Sequence, residues 1–544
     1  MANREVDKDY KKTFMMTRIM LFYGIMFLCC VTACGDDSGI KDSNVPPDVA
    51  DTAKFITISL DTTATFQTIR NFGASDAWSA QFVGKFWPES SRKQIAELLF
   101  STENAQDGSP KGIGLTAWRF NIGGGSAAQG AGSKIEDEWR RAESFIDGNE
   151  TYDWTRQSGQ LWFLREAKAR GVETFTGFVN SPPVVFTRNG KAWSEDGKSA
   201  NLSKENYGKF AEFLSNVVKG VATETGVTFD YISPFNEPQW EWKCCGQEGS
   251  PWNNHEIAQM VRTLDSTFIA NNITSKIEVT EAGQIDFLYK ELGDSNRDDQ
   301  VSAFFDMSSE FYIGNLNTVA KKIAGHSYFT TWGVEQLIDH RQALHNKVRS
   351  YSGLEYWMSE YTLLENNDEI EGNGRDLGME PALYMARVIH ADLVFAHAAA
   401  WQWWLAVSPY DYKDGLVYID HSKSGGNIYE SKMLWALGHY SRFVRPGMIR
   451  IGTSRSDGLS KVLSITELLI SAYQGDEEYV LVLVNQSNRE KSIKISGLPF
   501  DFKIVEVYQT SAKEGDNLAY KGERNLNELI EVPERSFVTC VVHR

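Results

Sequence analysis

The chain has 544 residues, which is too long for one hydrophobic core of ordinary size and predicts two folded units with shorter appended segments. Hydrophobic residues make up 42% and charged residues 23% of the sequence, a globular composition that excludes a fibrous or disordered chain. The net charge of −17 argues against nucleic acid as a partner, because phosphate binding requires clustered Lys and Arg.

The first 33 residues have the layout of a secretory signal, with basic residues followed by an apolar run from Ile19 to Ala33. The small residues before Cys34 resemble a bacterial lipobox, which implies that Cys34 is lipidated. An ordinary anchor helix is the alternative, although the run is short for a membrane span. Residues 34–53 predict a flexible tether. We therefore expect an exported outer-membrane lipoprotein, at the cell surface or facing the periplasm, that meets the membrane only through its lipid.

The region from 67 to 442 alternates short apolar runs with longer helical patterns, which is typical of βα units around a parallel sheet. Eight strand candidates over this length predict a TIM (β/α)8 barrel with long loops. Residues 54–66 alternate as well and predict one or two strands that join a C-terminal β-unit. The eight barrel candidates are Ile69–Ala74, Leu115–Asn121, Glu173–Val179, Tyr231–Phe235, Lys276–Thr280, Ile323–Ser327, Tyr356–Ser359 and Ala399–Trp403.

Between the third and fourth strands, apolar residues from Tyr207 to Val221 repeat at helical spacing behind Ser203. This pattern predicts a crossover helix with Ser203 as its cap. From 443 to 544 the sequence changes to short alternating strands without a long helix, and we expect an all-β sandwich packed on the barrel. The predicted fold class is α/β, a TIM (β/α)8 barrel with an appended all-β sandwich domain.

Two predicted strands deliver a carboxyl group to their C-terminal ends, Glu237 after strand four and Glu360 after strand seven. Catalytic groups of such barrels lie at these strand ends, so we expect the two carboxyls to meet across the barrel mouth. A pair of carboxyls facing one sugar can cleave a glycosidic bond, because one protonates the leaving oxygen and the other attacks the anomeric carbon or activates water. Glu281, at the end of strand five, is the rival carboxylate.

Several stretches of the chain resemble glycoside hydrolase family 30, a clan A family of retaining enzymes with a barrel and a side β-sandwich. The resemblance implies Glu237 as acid/base and Glu360 as nucleophile, and it spans nearly the whole mature chain. The stretches are Asn71–Trp78, Trp118–Gly125, Asn180–Pro183, Ser233–Trp240 and Ser359–Tyr361.

The segment after Glu237, including Gln247–Trp252, most resembles the endo-β-1,6-galactanase-like branch of that family. We therefore expect endo-acting, double-displacement hydrolysis of β-1,6-galactan side chains, with a polysaccharide or oligosaccharide as the partner. Two alternatives stay open. One is another family 30 specificity, such as β-glucosidase, β-xylosidase or β-1,6-glucanase, and the other is a non-catalytic surface lipoprotein that binds glycans.

The same resemblance assigns expected roles to residues around the carboxyls. Asn236 is expected to hydrogen-bond the sugar 2-hydroxyl, Arg119 to hold Glu360 ionised, and Asp76 to bind ring hydroxyls. Asp76 and Arg119 could instead form a structural ion pair. His326 and Tyr328 are expected to line the site, with Tyr328 contacting the nucleophile. The remaining substrate-binding candidates are Trp78, Asn180, Trp240, Trp401 and Trp403, of which the last two could equally pack in the core.

No cofactor or metal is expected, because the sequence has no metal-binding motif and its nine His are scattered. The glycines at 123–125 suggest a phosphate loop, but no Gly-Lys-Ser/Thr follows, and close backbone approach at the barrel rim explains them better. Cys244 and Cys245 are adjacent, and two free thiols are favoured over a disulfide between them. The sequence does not determine the oligomeric state.

Overall fold

The structure is a computed structural model that describes residues 55–293 and 296–544. The expected signal sequence, the lipidation site Cys34 and the whole tether, residues 34–53, lie outside the described residues. Within the described ranges, the helices are all too short or too polar to cross a lipid bilayer.

The described residues form two sheets with helices around one of them. The strands are β1 (Ile56–Thr68), β2 (Asn71–Ser75), β3 (Ala117–Asn121), β4 (Thr174–Phe178), β5 (Tyr231–Ser233), β6 (Lys276–Ile277), β7 (Thr280–Ala282), β8 (Lys322–His326), β9 (Glu355–Tyr361), β10 (Ala400–Ser408), β11 (Gly415–Ile419), β12 (Ile428–Glu430), β13 (Ile449–Arg455), β14 (Leu468–Gln474), β15 (Tyr479–Asn485), β16 (Lys491–Ser496), β17 (Ile504–Thr510), β18 (Ala519–Asn525), β19 (Ile530–Val532) and β20 (Ser536–His543). The α-helices are α1 (Ser79–Phe86), α2 (Glu89–Phe100), α3 (Ser126–Gln129), α4 (Ser158–Ala169), α5 (Tyr207–Thr225), α6 (Asn254–Ala270), α7 (Asp286–Tyr289), α8 (Gln300–Phe305), α9 (Val334–Val348), α10 (Met379–Val394), α11 (Lys432–Ser441) and α12 (Lys461–Glu467).

Strands β2 to β10 form a curled sheet of parallel strands. Its path runs from β6 through β5, β4, β3, β2, β10, β9 and β8 to β7. The two ends of this path are consecutive in the chain, because only Glu278 and Val279 separate β6 from β7. The strand predicted over Lys276–Thr280 is therefore interrupted. The sheet is that of a TIM-like barrel, and β11 and β12 extend it beside β10.

Helix α5 supplies the predicted crossover between β4 and β5. Its apolar residues, among them Phe210, Leu214 and Val217, are fully buried. Gly226 ends the helix with φ of 70°, a left-handed conformation that glycine adopts without steric cost. The expectation that Ser203 caps this helix is wrong. A 3-10 turn over Lys204–Asn206 comes first, and the Ser203 side chain makes no capping hydrogen bond.

The second sheet is a β-rich unit with the strand order β18-β17-β20-β15-β14-β13-β1-β16-β19. Strand β1 lies inside it, antiparallel to β13 and parallel to β16. The unit has its own apolar core, which includes Ile58 from β1 and Leu481 from β15. Helix α11 connects it to the barrel, because the buried His439 ring hydrogen-bonds the hydroxyls of Thr539 and Thr510 at 2.7 and 2.9 Å.

Candidate active site

The carboxyls of Glu237 and Glu360 meet in one buried pocket at the C-terminal ends of the barrel strands. Glu237 lies four residues beyond β5, and Glu360 lies near the end of β9. The two residues are 8% and 4% exposed. One oxygen of each carboxyl and a ring nitrogen of His326, the last residue of β8, lie within 4.8 Å of one another. The structure therefore brings together the two carboxyls that the sequence singled out.

Both oxygens of Glu360 accept hydrogen bonds that fix the orientation of its carboxylate. Arg119 Nη1 donates to Glu360 Oε2 at 2.9 Å, and the Tyr328 hydroxyl donates to Oε1 at 3.2 Å. The Arg119 guanidinium is buried 4.3 Å from the centre of the Phe178 ring, and its Nη2 lies 3.3 Å from Glu281 Oε2. Charge-assisted hydrogen bonds of this kind hold the carboxyl group of Glu360 in a defined position.

His326 lies between three carboxyl groups. Its Nδ1 is 3.1 Å from Glu237 Oε1, and its Nε2 is 2.8 Å from Glu281 Oε2. Burial alone would lower the pKa of His326, but the charges of Glu360, Glu237 and Glu281 outweigh it and raise the pKa to about 10. Both ring nitrogens therefore carry protons at neutral pH. Ligand atoms of Glu237, His326 and Glu360 are also close enough to one another to hold an ion.

Glu281 belongs to the same cluster. From the sequence, Glu281 is considered only as an alternative to Glu360 as the second catalytic carboxylate. It is fully buried and accepts a hydrogen bond from Ser359 Oγ at 2.6 Å as well as from His326. Burial by itself would raise the pKa of Glu281, but Arg119 and His326 hold it well below the usual carboxyl range. The two cations Arg119 and His326 thus balance the two carboxylates Glu281 and Glu360.

The Glu237 carboxyl retains its proton more readily than a free glutamate. Burial is the main cause that raises the pKa of Glu237, and the nearby charge of Glu360 raises it further. The hydrogen bond from His326 lowers this pKa, but the net shift is upward. The backbone of Glu237 has φ of 44°, a strained conformation for a residue with a side chain. Three hydrogen bonds hold the backbone of Glu237 in this conformation. Trp240 N and Trp242 Nε1 donate to its carbonyl oxygen, and its own N–H donates to the Glu281 carbonyl.

A second group of buried polar side chains lies beyond β2, β4 and β5. Asp76 Oδ1 accepts hydrogen bonds from the Asn121 N–H and Gln160 Nε2, and burial raises its pKa to about 8 in spite of them. Buried polar atoms in folded proteins are normally paired, so unpaired ones indicate a missing ligand or solvent. Among the described residues, the atoms without a hydrogen-bond partner include Asp76 Oδ2, Trp78 Nε1, Asn180 Oδ1 and Nδ2, and Asn236 Oδ1.

The structure does not contain the alternative Asp76–Arg119 ion pair, because Arg119 pairs with Glu281 and Glu360.

Trp401 and Trp403 are also not at the site. Both are fully buried, and their indole N–H groups donate to Asp392 and to the Asp414 carbonyl. Trp404 lies at an irregularity of β10 between Trp403 and Leu405, and it contacts other residues of the site instead.

Trp404 packs edge-on against Trp78 at 5.5 Å and against Phe178, whose ring lies beside Arg119. Trp404 could not be singled out from the sequence, because alternation alone does not tell which face of β10 is inside. Trp240 is half-buried, hydrogen-bonds the Glu237 carboxyl, and packs edge-on against Phe287 and Phe329.

The glycines of the loop after β3 allow another chain segment to approach closely. A Cβ on Gly123 would lie 2.1 Å from the Glu143 carbonyl oxygen. The N–H groups of Gly124 and Ser126 donate to the buried Glu248 carboxylate at 2.7 and 3.0 Å, so an internal anion occupies the place that a phosphate would need.

Cys244 and Cys245 lie in the loop between Trp242 and Glu248, and their Sγ atoms face each other. The preference for two free thiols over a disulfide stays a prediction.

Comparison with known proteins gives the same class as the geometry. Residues 55–418 match the model of O-Glycosyl hydrolase family 30, and the chain belongs to that family. Its substrate is accordingly a glycan. An endo-β-1,6-galactanase of Hypocrea rufa is 23% identical over 408 residues, covering 72% of this chain and 75% of the relative. The glucuronoxylanase XynC of Bacillus subtilis is 25% identical over 395 residues, covering 70% and 76%.

A crystal structure of a conserved exported protein from Bacteroides fragilis superposes with a TM-score of 0.84 at 34% identity, covering 89% of this chain and 100% of that one.

Proposed function

We propose that this protein is a retaining glycoside hydrolase in which Glu237 is the general acid/base and Glu360 the nucleophile. The observation that carries the proposal is the approach of the two carboxyl groups, with oxygen atoms within 4.8 Å of each other. Retaining enzymes hold their carboxyls about 5 to 5.5 Å apart, whereas inverting enzymes need about 6.5 to 9.5 Å to admit a water molecule. The raised pKa of Glu237 and the doubly hydrogen-bonded carboxylate of Glu360 support the same division of roles.

In the first step, Glu360 attacks the anomeric carbon while Glu237 gives its proton to the glycosidic oxygen, so that the leaving sugar departs and a glycosyl ester forms on Glu360. His326 Nδ1–H then stabilises the carboxylate that Glu237 has become. In the second step, Glu237 removes a proton from water, the water oxygen attacks the anomeric carbon, and Glu360 is released. The unpaired polar atoms of Asp76, Asn180 and Asn236 would bind the hydroxyls of the reacting sugar.

For the substrate, we propose β-1,6-linked galactan side chains cut by endo action. The support is the similarity to the endo-β-1,6-galactanase of Hypocrea rufa and the loop from 247 to 252. The comparable similarity to a glucuronoxylanase keeps another family 30 specificity as the second candidate.

We also take β6 and β7 as one interrupted strand that completes a (β/α)8 barrel over 67–442, with residues 54–66 and 443–544 forming the sandwich. We further propose that this chain is exported, which the similarity to a conserved exported protein supports. From the sequence alone, residues 1–33 are proposed as the signal, Cys34 as the lipid site and 34–53 as the tether.

The test is a 2-deoxy-2-fluoro glycoside that traps the covalent intermediate, followed by peptide mass spectrometry. We expect the adduct on the peptide that contains Glu360, and we expect Glu360→Gln to abolish labelling and lower turnover by about a thousandfold or more. Products from β-1,6-galactan, β-1,6-glucan and glucuronoxylan identify the polymer. An adduct on another residue, or products of inverted configuration, would overturn the assignment. Equally low activity in the native protein and in the Glu360→Gln variant would favour a glycan-binding lipoprotein.

A further inference from the structure

Aromatic side chains lie on the loops that follow β5 and β8, close in sequence to Glu237 and His326. Trp240 follows Glu237 by three residues, and Phe329 and Trp332 follow His326 closely. Phe329 is 47% exposed and Trp332 is 36% exposed. Single exposed aromatic residues are ordinary on a protein surface, but a group of them beside a functional pocket suggests a binding surface.

Phe329 is linked by contacts to both catalytic carboxyls. Its ring packs edge-on against Trp240 at 6.0 Å, and Trp240 hydrogen-bonds the Glu237 carboxyl. The Phe329 ring also lies 6.5 Å from the ring of Tyr328, whose hydroxyl donates to Glu360. The exposed ring of Phe329 is therefore continuous with the pocket in which bond cleavage is proposed. Its φ of 59° is a conformation that L-residues rarely adopt, as expected of a functional position.

Trp332 follows Phe329 by three residues. A shallow, open depression beside it is lined by residues 332–336. The carboxylate of Glu335 in the lining favours a neutral ligand over an acidic one.

The position of these rings around the barrel indicates which part of a substrate they meet. The unpaired polar atoms of Asp76 and Asn180 lie beyond β2 and β4, whereas Phe329 and Trp332 lie beyond β8. In the order of the sheet, the strands that carry Glu237 and Glu360, β5 and β9, separate these two arcs. If the polar arc holds the sugar that is attacked, the aromatic arc faces the group that leaves.

We propose that Trp240, Phe329 and Trp332 form a subsite for the leaving-group part of a neutral β-linked oligosaccharide, which we call the aromatic subsite. The inference rests on the proposed hydrolase function. A flat apolar ring complements the C–H face of a hexopyranose, and stacking there holds a chain that continues beyond the bond being cut. The substrate then has further sugars on the leaving side, as endo action requires.

The experiment compares two substrates in the Phe329→Ala and Trp332→Ala variants. One substrate is the polysaccharide cut in the product panel, and the other is a 4-nitrophenyl β-glycoside of the same sugar, whose small leaving group does not reach Trp332. We expect the ratio of kcat/KM for the polymer to kcat/KM for the aryl glycoside to fall about tenfold in each variant. Trp332→Tyr, which keeps an aromatic ring, should retain most of the ratio. Phe500→Ala removes a 94% exposed aromatic residue of the β-rich unit and is the matched control.

Equal losses on both substrates, or no loss on the polymer, would overturn the aromatic subsite. A protein inactive on both substrates would contradict the hydrolase proposal instead. In that case, affinity electrophoresis in gels containing β-1,6-galactan, β-1,6-glucan or glucuronoxylan still tests the subsite. Glu360→Gln should then be retarded about tenfold more strongly than Glu360→Gln combined with Trp332→Ala, and equal retardation would refute the subsite.

Discussion

The balanced charges around Glu281 predict that Glu281→Gln lowers the pKa of His326 from its native value of about 10. In the native cluster, Arg119 and His326 face the carboxylates of Glu281 and Glu360, so the substitution leaves one positive charge uncompensated in a buried site. Across the 2.8 Å between His326 Nε2 and Glu281 Oε2, two unit charges interact by about 6 kcal/mol at an effective dielectric constant of about 20. That energy corresponds to at most about four pKa units of decrease from the value of about 10, because Glu360 and Glu237 also raise the pKa of His326 and remain in place.

The assay is an NMR titration of the ring nitrogens of His326 between pH 6 and 9. The native imidazole should stay doubly protonated throughout, whereas the Glu281→Gln imidazole should lose a proton within this range. Ser359→Ala is the control, because it removes a hydrogen bond to Glu281 but keeps the carboxylate charge. A His326 that stays doubly protonated up to pH 9 in Glu281→Gln would refute the claim that Glu281 raises its pKa.

Two further predictions concern His326 and Tyr328. His326 has a folded-state pKa of about 10, above the value of about 6.5 in an unfolded chain, so its contribution to stability is complete below pH 6.5 and is lost as the pH rises toward 10. The difference in unfolding free energy between the native protein and His326→Gln, measured in urea, should therefore shrink by about 1.4 kcal/mol per pH unit in that window, and a constant difference would contradict the raised pKa. Tyr328→Phe removes a donor to Glu360, and hydrogen bonds to charged groups contribute about 1.5 to 3 kcal/mol, so kcat/KM should fall about 10- to 100-fold with little change in the melting temperature. A fall of less than twofold would show that the Tyr328 hydroxyl does not support the nucleophile.

The strand pattern could be predicted from the sequence because buried parallel strands are short apolar runs at regular intervals. Seven of the eight predicted runs overlap one observed strand each, such as Tyr356–Ser359 within β9. The fifth run is divided, because Glu278 and Val279 separate β6 from β7. Glu278 forms a buried ion pair with Lys322 of β8, a partner 44 residues away that no local pattern indicates.

The carboxyl pair was also visible in the sequence, because both residues follow apolar strands whose ends must converge in a barrel. The partners of Glu281 were not visible, since Arg119, His326 and Ser359 lie on three other strands. The orientation of β10 was not visible either. The sequence places Trp401, Trp403 and Trp404 on one strand but does not say which of them face the barrel interior. The hydrogen bond from Trp401 to Asp392 of α10 shows that Trp401 faces the surrounding helices.

The position of β1 has a consequence for biosynthesis. This strand is made before the entire barrel, yet its hydrogen-bonding neighbours β13 and β16 emerge from the ribosome about 400 residues later. Until β13 and β16 are made, the edges of β1 have no native partners. A fragment that begins after residue 68 would lack this interior strand of the β-rich unit. The two units consequently cannot be exchanged as consecutive cassettes, and a graft of the C-terminal half onto another barrel would have to carry Ile56–Thr68 with it.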